Sequence, residues 1–382
     1  MNSQSVIGHQ PSAPRILIRG VNWLGDAVMT TPALLRLREK FPEAHITLLT
    51  HAKLADLWQH HPAINETIGF KAGESILAIA KKLRAGKFDL ALVLPNSPRS
   101  ALEVFLADIP QRIGYARGWR NLLLTRAFAP RSAAVKMRKR TAAEIHRLSS
   151  QILETGNLNQ EIPKSAHQIF EYLNLTAALG ANPEPLAPQL FVTPEEIEAA
   201  KKKFGLEKIT APIFGLNPGA EYGAAKRWPV EKFIAAAKEI QQRTNCVWIL
   251  FGGKTDAAIT NQIASQLPTS SSHLLNLAGK TNLRELMALL KLCRVVLTND
   301  TGPMHVATAL GTPVVVPFGS TSPELTGPGL PGDARNYLLK SDAPCSPCFL
   351  RECPIDFRCL KGISESQVIS AVMEIVSPSP IQ

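Results

Sequence analysis

Apolar and polar positions alternate in blocks along the first third of the chain. Short apolar runs at 15–19, 45–50 and 90–94 have the length of buried strands, and the stretches 26–40 and 75–85 between them carry apolar side chains at helical spacing. Strands and helices in this order predict a parallel, doubly wound sheet with right-handed crossovers. The chain therefore opens as an α/β domain.

A proline-rich segment separates this domain from a second one of the same kind. Three prolines within residues 181–188 predict an extended linker. Thr193 and Glu196 after it predict a capping box at a helix start. Further strands are predicted at 213–216, 247–251, 295–298 and 314–317, and further helices at 230–244, 283–292, 304–310 and 364–376. A chain of 382 residues is too long for one ordinary core, which agrees with two domains.

The predicted organisation is two Rossmann-like α/β domains with short additions at each end. Its parts are a disordered lead-in at 1–14, a domain at 15–180, the linker at 181–188, a domain at 189–363 with a cysteine-rich segment at 345–359, and a C-terminal helix and tail at 364–382. The longest apolar runs are far shorter than the roughly 20 residues that span a bilayer. The first fourteen residues are polar and lack the apolar core of a secretory signal, so we expect a cytoplasmic protein.

Positive charge is concentrated in one stretch of the chain. The formal net charge is +11, and ten Lys or Arg lie between Arg112 and Arg147 with Glu144 as the one acid among them. Such a stretch is either a solvated surface or a cradle for phosphates and anionic headgroups. Few aromatic side chains accompany it, and no nucleic-acid-binding motif does, so we expect no nucleic-acid partner.

The first candidate site is the loop Gly20–Asp26 between the first strand and its helix. Open α/β sheets bind ligands in such loops, at the carboxyl ends of their strands. Gly25 permits a tight turn. Asp26 is either an N-cap of the helix or a carboxylate that takes a proton from an acceptor hydroxyl.

Two more loops in the second domain combine glycine with charged side chains. The loop 217–229 can bring backbone N–H groups and Lys226 onto a diphosphate. In 299–305, Asp300 could bind sugar hydroxyls, and the helix opening at Gly302 offers N–H groups to an anion. His305 is either a phosphate contact or a half-buried histidine that holds the loop.

Four cysteines lie within fifteen residues near the end of the chain: Cys345, Cys348, Cys353 and Cys359. Four thiols suffice for a structural zinc ion, but their spacing is irregular for the common zinc modules. Free thiols are the favoured interpretation, and a structural zinc is the alternative.

Several of these motifs together resemble glycosyltransferase family 9, the bacterial lipopolysaccharide heptosyltransferases. They are Trp23–Asp26, Pro218–Ala220, Ala225–Pro229, Asn299–His305 and Cys345–Pro354, and the resemblance covers roughly residues 15 to 376. It implies a GT-B fold, in which two Rossmann-like domains face a central cleft. It also implies inverting transfer of L-glycero-D-manno-heptose from ADP-heptose to the first heptose of heptosyl-Kdo2-lipid A, without a metal or other cofactor.

The resemblance assigns roles to individual positions. Asp26 matches the general base and Lys226 the diphosphate-binding lysine, and both are candidate catalytic residues. Candidate donor-binding residues are Asn217, Gly219, Lys226, Asp300, Thr301, Gly302 and His305. Candidate acceptor-binding residues, chosen from the first loop and the charge distribution, are Asn22, Trp23, Arg112, Arg117 and Arg120.

The implied partners are a nucleotide-sugar donor, an anionic lipid A-core acceptor and the cytoplasmic surface of the inner membrane. One alternative is an ADP-heptose transferase of the same family with another acceptor, such as a heptosyltransferase I or III. The cysteine segment and Ala225–Pro229 favour the members that add the second heptose. A non-catalytic lipopolysaccharide- or nucleotide-binding protein and a GT-B sugar-nucleotide epimerase are further alternatives.

Overall fold

The first half of the molecule is one parallel sheet with its helices. The computed structural model describes residues 13–132, 134–150, 162–267 and 274–377, so nearly all of the predicted lead-in lies outside the described residues. The strands of this half are β1 Arg15–Arg19, β2 His45–His51, β3 Glu66–Phe70, β4 Leu90–Val93, β5 Gln111–Tyr115 and β6 Arg126–Phe128. Its helices are α1 Leu24–Met29, α2 Thr31–Lys40, α3 Ile76–Arg84, α4 Pro98–Leu106, α5 Ala142–Ser150 and α6 Ile169–Ala177, with 3-10 helices at Ala52–Trp58, Gly118–Leu123 and Lys164–Ala166.

The second half repeats the arrangement. Its strands are β7 Ile213–Asn217, β8 Val247–Leu250, β9 Leu274–Asn276, β10 Val295–Thr298, β11 Val314–Pro317 and β12 Tyr337–Leu339. Its helices are α7 Pro194–Lys203, α8 Val230–Thr244, α9 Ala257–Ala264, α10 Leu283–Leu292, α11 Gly302–Ala309, α12 Pro323–Thr326, α13 Arg358–Lys361 and α14 Glu365–Val376, with 3-10 helices at Ala224–Lys226 and Lys254–Asp256.

Both sheets have the strand order of a dinucleotide-binding fold. The orders are β3-β2-β1-β4-β5-β6 and β12-β11-β10-β7-β8-β9, with every pair parallel. The order reverses beside β1 and beside β7, which are the switch points where such sheets bind ligands. The predicted pair of doubly wound α/β sheets is confirmed, and their arrangement is that of a GT-B fold. The exact domain limits stay a prediction.

Local chemistry explains where the elements begin and end. Thr193 and Glu196 form the predicted capping box. The predicted helix 26–40 is two helices, because Pro32 has no N–H to continue the hydrogen-bond ladder. The Thr31 hydroxyl donates instead to the Val28 carbonyl, over 2.9 Å. Strand β3 was not predicted, since it is an edge strand with little buried surface. In the part of the chain described, none of the helices combines the length and apolarity needed to cross a bilayer.

The two halves meet through α1 and α11, which pack at very short range. A Cβ atom on Gly25 would lie 2.6 Å from the His305 ring, and one on Gly302 would lie 2.8 Å from the Leu24 side chain. Each glycine therefore makes room for a side chain of the opposite helix. Gly25 was predicted to permit a turn, and its structural requirement is this close approach across the domain boundary.

We predict that Gly25→Ala destabilises the protein, although alanine favours a helix over glycine by about 1 kcal/mol. The added methyl group overlaps a ring that is itself buried, and such overpacking typically costs about 1–3 kcal/mol. Thermal unfolding measures the effect. Gly69→Ala is the matched control, because its nearest atom would lie at an ordinary 3.6 Å. Equal midpoints for the two variants would contradict the tight contact.

Candidate active site

The contact between α1 and α11 brings Asp26 to the boundary between the two sheets. Asp26 is the third residue of α1, whose N-cap is Trp23 without a side-chain hydrogen bond. The N-cap interpretation of Asp26 is therefore wrong. Its carboxylate instead accepts a hydrogen bond from the Gln168 amide over 3.4 Å. The same amide donates to the Tyr172 hydroxyl over 2.8 Å, so α6 and the residue before it hold the carboxylate from one side.

Burial raises the pKa of Asp26 to about 6, because desolvation outweighs the opposing effects of its neighbours. The positive charge of Lys226 and the bond from Gln168 lower that pKa, and the negative charge of Asp300 raises it further. Lys226 and Asp300 both come from the second half of the molecule. Their influence shows that the three charges belong to one site.

Lys226 and Asp300 form an ion pair beside Asp26. The Lys226 ammonium lies 2.6 Å from an Asp300 oxygen, and both side chains are largely buried. The same Asp300 oxygen accepts a hydrogen bond from the Thr321 hydroxyl. Lys226 also lies over the Tyr222 ring, 5.0 Å from its centroid. The pair is thus a fixed, partly desolvated cation and anion at the carboxyl ends of β7 and β10.

Two asparagines tie together the loops that carry this pair. The Asn299 side chain accepts from the Trp228 backbone N–H over 2.9 Å and donates to the Pro218 carbonyl over 2.7 Å. Asn217 is buried and donates to the Thr298 hydroxyl over 3.0 Å. Asn217 therefore links the ends of β7 and β10, from which these loops leave. Asn299 was part of a recognised motif, but its bonds across two loops depend on strand pairing and were missed.

A buried ion pair holds the first loop in the same way. Arg19, at the end of β1, lies 2.8 Å from Glu103 of α4, and both side chains are almost fully buried. Arg19 also donates to the Gly20 carbonyl and to the Asn22 side chain. The sequence held one signal of this role, a charged residue at the end of an apolar strand. The pair fixes the loop that leads to Asp26.

The remaining donor candidates have distinct environments. Gly219 lies against Asp256, whose carboxylate a Cβ on that glycine would overlap at 2.4 Å. Thr301 is the N-cap of α11 but makes no side-chain capping bond. Pro303 has no N–H and the Met304 N–H donates to the Thr301 carbonyl over 3.1 Å, so in the first turn the Gly302 N–H is the group that could meet an anion. His305 is buried, and burial lowers its pKa to about 4, so its ring is neutral. The packing of His305 on Gly25 supports its loop-holding role.

A cavity of about 560 Å³ opens beside Asp26 on the face of the first domain. Three of the candidate acceptor-binding residues, Asn22, Trp23 and Arg117, line it, and their role in binding the acceptor stays a prediction. It also contains residues that the sequence did not suggest: Gln168, Glu171 and Tyr172 around α6, Arg131 and Lys136 from the basic stretch, and Leu325 from the second half. The apolar spacing of Ile169–Ala177 was the available signal for α6.

Neither Arg112 nor Arg120 lines this cavity; the burial of Arg120 contradicts its assignment to the acceptor, and the assignment of Arg112 stays a prediction. Arg120 is fully buried, where it donates to the carbonyls of Tyr115 and Pro95. Burial also lowers its pKa to about 10. Arg112 donates to the carbonyl of Leu123 over 2.8 Å. Both guanidinium groups donate to backbone carbonyls and so help to hold the backbone around β5.

The four clustered cysteines are free thiols in the structure. Cys345, Cys348 and Cys359 are buried and Cys353 is partly exposed. Among the described residues, no group of three or more potential ligands is arranged to hold a metal ion. Whether the four thiols stay free or hold a structural zinc stays a prediction.

The profile of glycosyltransferase family 9 (heptosyltransferase) matches residues 76–357. Lipopolysaccharide heptosyltransferase 2 of Escherichia coli (strain K12) is 32% identical over 322 residues, with 82% of this chain and 85% of that protein covered. Lipooligosaccharide heptosyltransferase 2 of Haemophilus influenzae is also 32% identical, over 325 residues, with the same coverage.

Solved structures show the same likeness over nearly the whole chain. The structure of E. coli ADP-heptose LPS heptosyltransferase II superposes with a TM-score of 0.73 at 28% identity, covering 94% of this chain and 98% of that one. A family 9 glycosyltransferase from Veillonella parvula has a TM-score of 0.75 at 23% identity, covering 95% and 98% of the two chains, and shows the shared fold.

We predict that Asp26→Asn stabilises the protein at pH 8. The folded-state pKa of Asp26, about 6, lies above its ordinary value of 3.8, so ionisation weakens the folded state above pH 6. A neutral asparagine removes that penalty, which is at most about 3 kcal/mol for two pKa units. The gain should shrink as the pH falls from 6 towards 4, because the folded-state carboxyl is then protonated and the unfolded-state carboxyl approaches its own pKa of 3.8.

Thermal unfolding at pH 8, 6 and 4 measures this dependence. Asp342→Asn is the matched control, because Asp342 is an exposed carboxylate outside the site. A stabilisation by Asp26→Asn that is the same at all three pH values would contradict the assigned pKa.

Proposed function

Because this chain belongs to glycosyltransferase family 9, the heptosyltransferases, we propose that it transfers L-glycero-D-manno-heptose from ADP-heptose to the first heptose of heptosyl-Kdo2-lipid A, with inversion. One observation carries the proposal. A carboxylate with a raised pKa lies beside a cavity in one domain and beside a buried lysine of the other domain. This is the arrangement that a base and a leaving-group cation require on opposite sides of a reacting sugar.

Asp26 acts as the general base. With a pKa of about 6 it is ionised at neutral pH, yet basic enough to accept a proton. The acceptor hydroxyl oxygen forms a bond to the anomeric carbon while the bond from that carbon to the diphosphate oxygen breaks. The hydroxyl proton passes to the Asp26 carboxylate, and the electron pair of the broken bond leaves on ADP. A single displacement of this kind inverts the anomeric centre.

Lys226 and the N-terminus of α11 stabilise the leaving group. ADP gains negative charge as the sugar departs, and a preorganised cation, together with the Gly302 N–H and the positive end of the helix dipole, opposes that charge at little reorganisation cost. These groups support transfer without a metal or other cofactor. On the donor side we place Lys226, Asp300, Thr301, Gly302 and Gly219 near the nucleotide sugar, with Asn217 and His305 holding the loops.

The cavity beside Asp26 receives the acceptor. Asn22, Trp23 and Arg117 line it, and Lys136 adds a second exposed cation. The cations suit the carboxylates of Kdo and the phosphates of lipid A. We place the enzyme in the cytoplasm, peripheral to the inner membrane, because its acceptor is a lipid of that membrane. No nucleic-acid partner is proposed.

The direct test is transfer from ADP-heptose to purified acceptors, followed by mass spectrometry. We expect one heptose to be added to heptosyl-Kdo2-lipid A and none to Kdo2-lipid A. Addition to Kdo2-lipid A alone would make the enzyme a first-heptose transferase. Conversion of the donor without any acceptor would indicate an epimerase, and ADP binding without any turnover would indicate a binding protein.

We predict that Asp26→Asn lowers kcat by about 10²–10⁴-fold, the usual contribution of a general base. Binding of ADP, measured by calorimetry, should persist because Asp26 touches the acceptor side. The wild-type kcat/KM should fall as the pH drops through about 6, where the carboxylate becomes protonated. Asp342→Asn is again the control. Unchanged turnover in Asp26→Asn would refute the assignment of the base.

A further inference from the structure

Large exposed apolar side chains are confined to the first domain. Among the described residues they are Trp23, Leu77, Phe105, Trp119, Leu122, Val135 and Met137. Three of them, Trp23, Val135 and Met137, line the acceptor cavity. Trp119 and Leu122 do not, and with 62% and 82% of their surface exposed they are among the most exposed of the seven. The proposed transfer reaction does not account for these two.

The turn that carries them is held firmly from beneath. The 3-10 helix Gly118–Leu123 leaves the end of β5 and leads to the edge strand β6. Arg120, between the two apolar residues, is buried and bonded to backbone carbonyls. Asn121 accepts from the Arg117 backbone N–H over 2.8 Å and, through its carbonyl, from that of Leu124. Because these hydrogen bonds fix the backbone of the turn, the exposed side chains of Trp119 and Leu122 have a rigid support.

Uncompensated positive charge flanks this turn in the sequence. Arg117 and Arg126 bracket it in the sequence, and Lys136 and Lys139 follow in the basic stretch; all four are exposed. None of the four pairs with a carboxylate among the residues that the structure describes. The only acid of the stretch, Glu144, lies 2.7 Å from Arg138. The turn therefore exposes apolar side chains between flanking cations, and two of these cations, Arg117 and Lys136, also line the acceptor cavity.

We propose that the turn Gly118–Leu123 is a membrane anchor, which inserts Trp119 and Leu122 among the headgroups of an anionic bilayer. Tryptophan and leucine with flanking arginines are typical of the membrane interface, and the cations attract anionic lipid. Arg117 lines the acceptor cavity two residues from Trp119, so the anchor would hold that cavity at the bilayer surface. A second copy of the chain fits less well, because pairing this face with itself would oppose like charges.

Sedimentation of the full-length protein with vesicles tests the anchor. The vesicles are phosphatidylcholine with or without phosphatidylglycerol. We expect binding to the phosphatidylglycerol vesicles and a loss of about tenfold or more in the Trp119→Ser, Leu122→Ser double variant. The matched control is Leu77→Ser, which removes a side chain 71% exposed on α3, outside the turn. Arg117→Gln should weaken binding about fivefold.

The inference rests on the proposed function for its lipid acceptor, so activity is measured on two forms of that acceptor. The double variant should keep wild-type transfer to a deacylated, water-soluble acceptor and lose transfer to the acceptor embedded in vesicles. Equal vesicle binding by the double variant and the wild type would overturn the anchor. A change of oligomeric state in the double variant, with vesicle binding intact, would instead assign the turn to a second copy.

Failure of the proposed function gives a different pattern. No transfer by the wild type to either acceptor would reject that function. The vesicle sedimentation of the three variants would still decide whether the turn binds the bilayer.

Discussion

The close packing of α1 on α11 is the constraint on which the site depends. Gly25 admits the His305 ring, and Gly302 admits the Leu24 side chain. With side chains at either glycine the helices would separate, and the Asp26 carboxylate on α1 would move away from Lys226 and Asp300 in the loops of the second half. Because His305 is buried and neutral, the contact carries no charge of its own. The ion pair of the site, Lys226–Asp300, is therefore not needed to hold the two helices together.

Burial and charge oppose each other at Asp26, and their balance sets its chemical character. Desolvation alone would push the pKa higher, whereas Lys226 and Gln168 lower it. The Lys226–Asp300 pair keeps the local charge nearly neutral, so a buried cation is tolerated beside the cavity. Each half of the molecule alone lacks part of this balance. The carboxyl has its raised pKa because the two halves share one desolvated boundary.

The two halves have the same strand order but different surfaces. Among the described residues, the large exposed apolar side chains and the basic stretch lie in the first half, which also supplies all of the cavity lining except Leu325; the loops suited to a nucleotide diphosphate lie in the second half. Each sheet has its own ligand-binding crevice at the point where its strand order reverses, beside β1 or β7. The two halves can therefore bind different ligands. An amphipathic acceptor and a soluble donor can thus approach from separate sides.

The sequence alone determined the two parallel sheets, the capping box at Thr193 and the loops of Asp26, Lys226 and Asp300, because periodicity, capping and glycine placement act over a few residues. Only the tertiary structure decided which charges meet. The tertiary structure places Asp26 within α1 and buries Arg120. It also brings Gln168 and Asn299 into the site through contacts between distant segments. Desolvation and side-chain pairing depend on neighbours far apart in the chain, so local pattern could not reveal them.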